Sequence, residues 1–351
     1  MAFDFLLYGS YGYTGGLIAE LAVEGGLRPL LAGRDPVRLS AQAQKLGLEY
    51  RAFGLEDKAT LEGTLKETPV VMHCAGPYRH TYQPVVEACL ATGTHYVDLT
   101  GELVVFEALA ALDGSARAAG VMLLPGAGFD VVPSDCLAAH LKQRLPTARR
   151  LELAIMALGS KASHGTMLSA VESLPRQGLV LKDGKLVRVP LGWKTRRVDF
   201  GKGAVRVVCL PVADVFTAYH STGIPNIETY YSMPPLVASL FPLIRILNHG
   251  LGWRPLKGLL RNAVRLLPSG TTAQKRTLRR CQIWGEVSDE HNRHAVARLE
   301  TPEAYQLTAQ TALGVVQKIL AGDVHPGFQT PARAYGPDFI LEFAGVRQED
   351  L

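Results

Sequence analysis

Gly9, Gly12 and Gly15, three glycines at intervals of three directly after an N-terminal apolar run, are the residues whose type and spacing point to the most specific chemistry in this chain. In such a turn the first glycine permits a tight bend, the second lets a pyrophosphate approach the backbone, and the third lets a helix pack closely on a strand. N–H groups at the start of the following helix then face the phosphates. The spacing G-x-x-G-x-x-G departs from the commoner G-x-G-x-x-G, so its position between a strand and a helix carries the reading. Downstream, Gly33 and Arg34 stand where an NAD-binding unit carries a carboxylate for the ribose 2′-hydroxyl. An arginine there would pair with a 2′-phosphate, which makes NADP(H) the expected cofactor. A solvated turn arginine is the plainer alternative. Asp35 could serve a ribose hydroxyl, but its context reads first as a helix cap followed by Pro36.

Hydride transfer also needs a group that neutralises the charge left on the substrate. Tyr78, Glu102, Asp130 and His164 are the candidates. Tyr78 follows Ala75, Gly76 and Pro77 at the end of the fourth expected strand, and ligands of doubly wound sheets lie beyond the carboxyl ends of the strands. An aromatic plug beside the cofactor is its other reading. Glu102 closes the stretch Asp98-Leu99-Thr100-Gly101-Glu102. Asp130 sits in a second glycine-rich turn, Pro125-Gly-Ala-Gly-Phe-Asp-Val-Val-Pro-Ser-Asp135, beside glycines that would clear space for a ligand. Helix capping is the alternative for Asp130 and the first reading of Asp135. His164, before an expected helix at 167–174, is either presented to the cleft or a turn residue. No two of the four are close enough in sequence for a dyad to be argued from the sequence.

These residues need a scaffold, and the first part of the chain supplies one. Apolar runs at 3–8, 28–32, 50–53, 70–74, 95–99 and 121–124 alternate with helical patterns at 39–46, 58–66, 84–91 and 106–119, which predicts an α/β fold with a doubly wound parallel sheet of about six strands. Beyond 139 the pattern changes. Runs at 151–157, 205–210 and 228–232 predict an antiparallel sheet with helices between its strands, a second, α+β domain. A long helix is expected at 303–320.

The chain has 351 residues, 47% hydrophobic and 20% charged, enough for two globular domains. Its five cysteines are scattered and form no C-x-x-C pair, so no disulfide frame or metal site is expected and a reducing, cytoplasmic setting fits. The opening residues lack the basic leader and long apolar segment of a signal peptide. A net charge of +5 is too small to imply nucleic acid. Its distribution is uneven, since residues 229–285 hold nine Lys and Arg and no Asp or Glu. Within them 236–247 is apolar apart from Arg245, but too short for a bilayer that needs about 20 residues. Leu256, Leu259, Leu260, Ala263, Leu266 and Leu267 form one helical face opposite Lys257, Arg261 and Arg265. Such a helix either meets a membrane interface or an acyl-carrier partner, or packs on the second domain with its basic face solvated.

The combination of GSYGYTGG, AGR after the second strand, CAGPY after the fourth, HYVDLTGE and PGAGFDVVPSD resembles the saccharopine dehydrogenase-like oxidoreductases, and within them the trans-acting enoyl reductase branch. GEVSD at 285–289, LETPEAY at 299–305 and PGFQTP at 326–331 resemble that branch too, and the likeness is weakest over 180–280. It implies a Rossmann-type NADP-binding domain at 1–135. It implies an α+β domain at 136–300 that closes over the nicotinamide and contains the basic amphipathic segment 233–280. A C-terminal helix and tail at 301–351 would pack back on the cofactor domain. Carried over by position, the resemblance makes Gly9, Ser10, Tyr11, Gly12, Tyr13, Thr14 and Gly15, then Gly33 and Arg34, then Ala75, Gly76, Pro77 and Tyr78 cofactor contacts. Tyr11 and Tyr13 inside the turn depart from the familiar pattern.

Three functions follow as expectations. The first is an NADPH-dependent reductase of a C=C bond in a lipid or polyketide-like enoyl substrate. The second is a saccharopine-type C=N or amino-acid dehydrogenase, which would call on Arg176, Arg196 or Arg197 to clamp a substrate carboxylate. The third is a non-catalytic NADP-binding module associated with a membrane. The substrate is a small molecule in the first two, and the oligomeric state stays open.

Overall fold

The computed structural model describes residues 3–156, 167, 178–190, 192–201, 203–210, 212–233, 258 and 279–351. The chain divides into two compact units, Met1–Val132 with Tyr305–Ala334, and Pro133–Ala304 with Tyr335–Leu351.

The first unit is a parallel α/β sheet. Its strands β1 (Leu6–Tyr8), β2 (Leu30–Gly33), β4 (Val70–His73) and β6 (Met122–Leu124) are buried along their whole length, as expected of strands covered by helices on both faces, while β3 (Tyr50–Ala52) is a partly exposed edge and β5 (His95–Asp98) lies between β4 and β6. Helices α1 (Tyr13–Glu24), α2 (Pro36–Leu46), α3 (Lys58–Leu65), α4 (Tyr82–Thr92), α5 (Leu103–Ala111) and α6 (Asp113–Ala118) fall between the strands. The start of α2 is set by Asp35, whose carboxylate accepts the N–H groups of Val37 and Arg38, both at 3.1 Å, with Pro36 in the first turn. The helix expected at 106–119 is two helices. Asp113 opens the second and is held by Arg117 Nε and by the Phe328 N–H, both at 2.8 Å.

That last contact belongs to a strand the sequence pattern did not reveal. Gly327–Phe328 adds to β6 in parallel, giving a seven-stranded order Gly327–Phe328, β6, β5, β4, β1, β2, β3. Two residues carry no periodicity, and Gly327 has a φ of 102°.

The second unit opens with α7 (Val132–Arg144) and is built on a nine-stranded sheet. Its strands are β7 (Arg150–Met156), β8 (Gly178–Lys182), β9 (Lys185–Val189), β10 (Thr195–Asp199), β11 (Ala204–Cys209), β12 (Asn226–Ser232), β13 (Arg280–Ser288), β14 (His294–Pro302) and, after the strand Gly327–Phe328 (β15), β16 (Arg347–Asp350). The sheet is mixed rather than antiparallel, because β12 runs parallel to β7 from Asn226 beside Arg150 to Tyr231 beside Ile155. Helix α8 (Asp214–Thr222) leads into β12, the kind of crossover a parallel pair needs. The β13–β14 hairpin pairs Ile283 with Leu299 and Val287 with Ala295. At Gly285 a Cβ would lie 2.6 Å from Leu141 Cδ1, so α7 packs directly on this strand.

The expected grouping of 301–351 with the cofactor domain is corrected by β16. It pairs antiparallel with β14, Gln348 beside Leu299, and Glu349 takes the Arg298 guanidinium at 2.7 Å, so residues 335–351 complete the second unit. The helix α9 (Ala304–Leu320) belongs to the first unit apart from its first residue. Thr308 Oγ1 accepts the Phe129 N–H at 3.0 Å, and Thr311 Oγ1 donates to the Ala127 carbonyl at 2.8 Å.

Candidate functional site

The turn from β1 into α1 has the geometry its glycines call for. Gly9 takes a φ of +83°, and a Cβ on it would sit 2.9 Å from Ala75 N. Its N–H donates to the Ala32 carbonyl at 2.7 Å, tying the turn to β2. A Cβ on Gly15 would lie 2.5 Å from the Gly9 carbonyl oxygen, which leaves only glycine where helix crosses strand. Gly12 is the N-cap in an extended conformation, and no cap side chain occupies its place. A backbone cradle with an open helix start fits a dinucleotide diphosphate. Ser10 turns away from it, its hydroxyl donating to Gln42 Oε1 at 2.8 Å while Gln42 Nε2 returns to the Ser10 carbonyl at 2.9 Å. Tyr13 meets Tyr305 of α9 edge to face at 4.9 Å.

At the end of β2 the Tyr11 ring covers Gly33. A Cβ on Gly33 would be 2.5 Å from Tyr11 Cε1, and the Arg34 N–H donates to the Tyr11 hydroxyl at 3.2 Å. The Arg38 guanidinium lies 4.5 Å from the centre of the Tyr11 ring and donates to the Tyr11 carbonyl at 2.8 Å. Arg34 and Arg38 are both exposed.

Three of the four acid–base candidates gather around the loop after β4. Glu102 receives the Tyr78 N–H at 2.9 Å on one oxygen and Arg79 Nε at 2.5 Å on the other, so this nearly buried carboxylate holds the loop. Tyr78 packs edge to face on His73 at 5.6 Å, and burial pushes its phenol well above the ordinary range, so it stays protonated. Asp130 Oδ2 is 3.3 Å from where a Gly101 Cβ would stand; the carboxyl is at the surface, and the protein crowded around it raises its pKa. The glycines before Asp130 do not open a ligand space. A Cβ on Gly126 would meet Phe106 Cζ at 2.8 Å, and one on Gly128 would meet Thr308 Cγ2 at 2.9 Å. Asp135 lies in the first turn of α7 rather than at its cap, and accepts the Ser221 hydroxyl at 2.6 Å.

Beneath this loop lies a polar layer that the sequence did not single out. Thr81 donates to the Ala75 carbonyl at 2.7 Å and meets His73 Nε2 at 3.0 Å, which assigns the ring proton to Nε2. Burial lowers the His73 pKa to about 3. Asp98, beside His73 in register, accepts Tyr96 Oη at 2.7 Å and the N–H groups of Thr100 and Gly126, both at 2.9 Å; burial still raises it to about 6.

His164, Arg176, all but the first residue of the expected helix at 167–174 and nearly all of the basic segment 233–280, with Lys257, Arg261 and Arg265, lie outside the described residues. Arg196 is held by Glu152 and Glu286 and stacks 4.6 Å from the Trp284 ring centre. Arg197 donates to the Ala204 carbonyl at 3.4 Å. Among the described residues no helix is long and apolar enough to cross a membrane. Arg38, Gln42, Arg79 and Thr81 are site neighbours that sequence reasoning passed over. Arg38 and Gln42, at i and i+4 on α2, face the glycine turn, a spacing that was there to be read.

Residues 5–124 match the family profile described as Saccharopine dehydrogenase NADP binding domain. A trans-acting enoyl reductase of Mycobacterium leprae is 38% identical over 159 residues, covering 43% of this chain and 38% of that protein. One from Mycobacterium ulcerans is 35% identical over 150 residues, 40% of this chain and 36% of that protein. The matched segment thus spans well under half the length of these curated relatives. Among solved structures, apo saccharopine dehydrogenase (L-Glu forming) from Saccharomyces cerevisiae superposes with a TM-score of 0.65 at 14% identity over 99% of this chain and 100% of the other, a likeness of fold.

Proposed function

We propose that this saccharopine dehydrogenase-like chain is an NADPH-dependent oxidoreductase that reduces a C=C bond of a lipid or polyketide-like enoyl substrate. The observation that carries the reading is the cradle made by Gly9, Gly12 and Gly15, where side chains are excluded at Gly9 and Gly15 and a helix start is left open at Gly12, inside the segment that matches an NADP-binding family. The enoyl substrate is taken from what the relatives are named for.

When bound, NADPH supplies a hydride. In this reading the residues of the chain do the rest. Gly9 to Gly15 fix the diphosphate, and Arg34 meets the adenosine end. Tyr78, kept protonated by burial, donates a hydrogen bond to the substrate oxygen on which charge collects. Glu102 and Arg79 keep the Tyr78 loop in place. Asp130, with its raised carboxyl, returns a proton to the carbon left electron-rich. The second unit carries substrate recognition, and contact with an acyl carrier or membrane surface through 233–280 belongs to the same proposal.

Reduction of a C=N bond in an amino-acid-like substrate is the second reading. Arg196 speaks against it, because two glutamates already neutralise the guanidinium that would clamp a substrate carboxylate. The deciding experiment follows NADPH consumption by the purified chain against a panel of enoyl thioesters and against keto-acid plus amine pairs. Turnover of enoyl thioesters alone supports the proposal; turnover only of the keto-acid pairs overturns it. Tight NADPH binding with no turnover on either panel makes the chain a binding module.

A further inference from the structure

In the second unit the β10–β11 hairpin treats its cations differently on its two faces, across which side chains alternate. On one face Lys194 reaches Glu228 at 2.6 Å, and Arg196 is held by Glu152 and Glu286 beside the Trp284 ring. On the other face Arg197 and Arg206 stand directly opposite one another in the register. Both are exposed, and neither meets a carboxylate among the described residues; Arg197 donates to the Ala204 carbonyl at 3.4 Å. Asp199, the acid on their face, is taken up by the N–H groups of Gly201 and Gly203 at 2.7 and 3.0 Å.

The Cys209 N–H donates to the Lys194 carbonyl at 2.9 Å. Alternation from that bonded pair makes Arg197 and Arg206 a non-hydrogen-bonded pair, the kind whose Cα atoms come to about 4.5 Å and whose side chains lie closer together. Like charges so placed destabilise a sheet, and carboxylates set against them relieve the repulsion. The same alternation aims the backbone N–H and C=O groups of Thr195 and Arg197 away from β11. Because β10 ends the strand order, that edge is open among the described residues. A basic side chain on an edge strand serves to blunt the edge, but Arg206 lies on the inner strand and has no such use. Trp193, 45% exposed, continues the row of Thr195 and Arg197 by alternation.

We propose that the edge of β10 is a docking site for an extended acidic segment of a partner protein, which adds as a further strand with carboxylates on Arg197 and Arg206 and an apolar side chain on Trp193. Trp193 and Arg197 are four residues apart, so the segment carries an apolar and an acidic residue at i and i+4, about 13 Å apart along an extended chain. A second copy of this chain is a poor occupant, because pairing on the same edge would set these arginines against their own copies. An anionic bilayer or a nucleic acid would neutralise the arginines but leave the backbone groups of Thr195 and Arg197 without ladder partners. The inference is independent of the reading of the glycine turn.

The test is fluorescence anisotropy with the full chain and a labelled peptide, Thr-Phe-Thr-Glu-Thr-Glu-Thr, beside a counterpart with Lys for Glu. The acidic peptide is expected to bind, more weakly as salt rises, and the basic one not to bind. Arg197→Gln and Arg206→Gln are each expected to weaken binding by about 2- to 5-fold, the worth of an exposed ion pair, and Trp193→Ala by about 10-fold. Arg206→Gln is expected to melt at or above wild type, since it removes the cross-strand repulsion. Hydrogen exchange is expected to find the Thr195 and Arg197 amides open in the free chain and protected by the acidic peptide. No binding of that peptide, or equal binding by an Arg197→Gln, Arg206→Gln double variant that melts normally, would overturn the inference. Amides already protected in the free chain would overturn it too, by placing a segment of this chain on the edge. So would phosphatidylglycerol vesicles or duplex DNA that bind through the same two arginines while the peptide leaves the amides open.

Discussion

His73 and Asp98 face each other in register on β4 and β5, both fully buried, and they bend the pH dependence of stability in opposite directions. The His73 pKa falls to about 3 on folding, so the unfolded chain takes up a proton first and stability drains away as pH falls from about 6.5 toward 3. Asp98 does the reverse. Its folded pKa of about 6 lies above the unfolded 3.8, so its contribution is fully present below 3.8 and is lost as pH rises through 6. Asp98→Asn keeps an acceptor for the Thr100 and Gly126 N–H groups and a partner for Tyr96, and removes the ionisation. Its stability relative to wild type is expected to climb between pH 4 and 7, by at most about 3 kcal/mol, the worth of a shift of about two pKa units. Denaturant melts across that range decide it, and a difference that does not vary with pH would refute the assignment. Glu102 is judged by a different measure. Glu102→Ala leaves the Tyr78 N–H and Arg79 without their acceptor, at a cost of about 1–3 kcal/mol, and is expected to lower turnover through Tyr78. Glu102→Gln, which keeps one acceptor, is expected to recover part of both, and an alanine variant with wild-type stability would remove Glu102 from its place as the holder of the loop.

At the scale of elements, α9 shows what one long-range hydrogen bond contributes. The Phe129 N–H is buried and its acceptor is Thr308 Oγ1, so Thr308→Val, nearly the same shape, is expected to destabilise the chain by about 1–3 kcal/mol, while Thr308→Ser keeps the acceptor and most of the stability. Equal melting of the two variants would show that this contact does not hold α9. The elements also show where the sequence could be read. The strand, glycine turn and helix over 6–24 was legible because Gly9 and Gly15 exclude a Cβ and Gly12 leaves little room for one, and such exclusions are written as residue type. The two-residue strand Gly327–Phe328 was not, because its existence depends on the Asp113 carboxylate and the free edge of β6, both remote in sequence. The direction of β12 was misread for the same reason, since alternation reports burial and says nothing of parallel or antiparallel pairing. The place of Gly33 and Arg34 at the end of β2 was legible from the strand pattern, whereas the part of Glu102 as holder of a loop follows only from where Arg79 is folded.

The chain passes from one unit to the other at Val132, returns at Tyr305 and leaves again after Ala334, so the unit that carries the glycine turn is not a continuous stretch of sequence. What the returning segment brings is core rather than decoration. On α9, Leu307, Ala312, Val315, Val316 and Ile319 are buried, and Gly327–Phe328 pairs with β6. Residues 1–132 expressed alone would expose the surface that α9 covers and leave one edge of β6 unpaired, a state prone to association. The fragment is expected to aggregate or to bind a hydrophobic dye, and to show no saturable NADPH binding. The ends to be rejoined are near, since Phe129 N lies 3.0 Å from Thr308 Oγ1. A fusion of 1–132 to 305–334 through a short Gly-Ser linker is therefore expected to unfold cooperatively. Adding NADPH at 100 times its dissociation constant should stabilise the fusion by about 2.7 kcal/mol, because only the folded unit presents the cradle of Gly9, Gly12 and Gly15. A soluble, cooperatively melting 1–132 fragment that binds NADPH as tightly as the fusion would show that the strand–turn–helix elements suffice without α9, and that the discontinuity of the unit carries no weight in holding its cofactor.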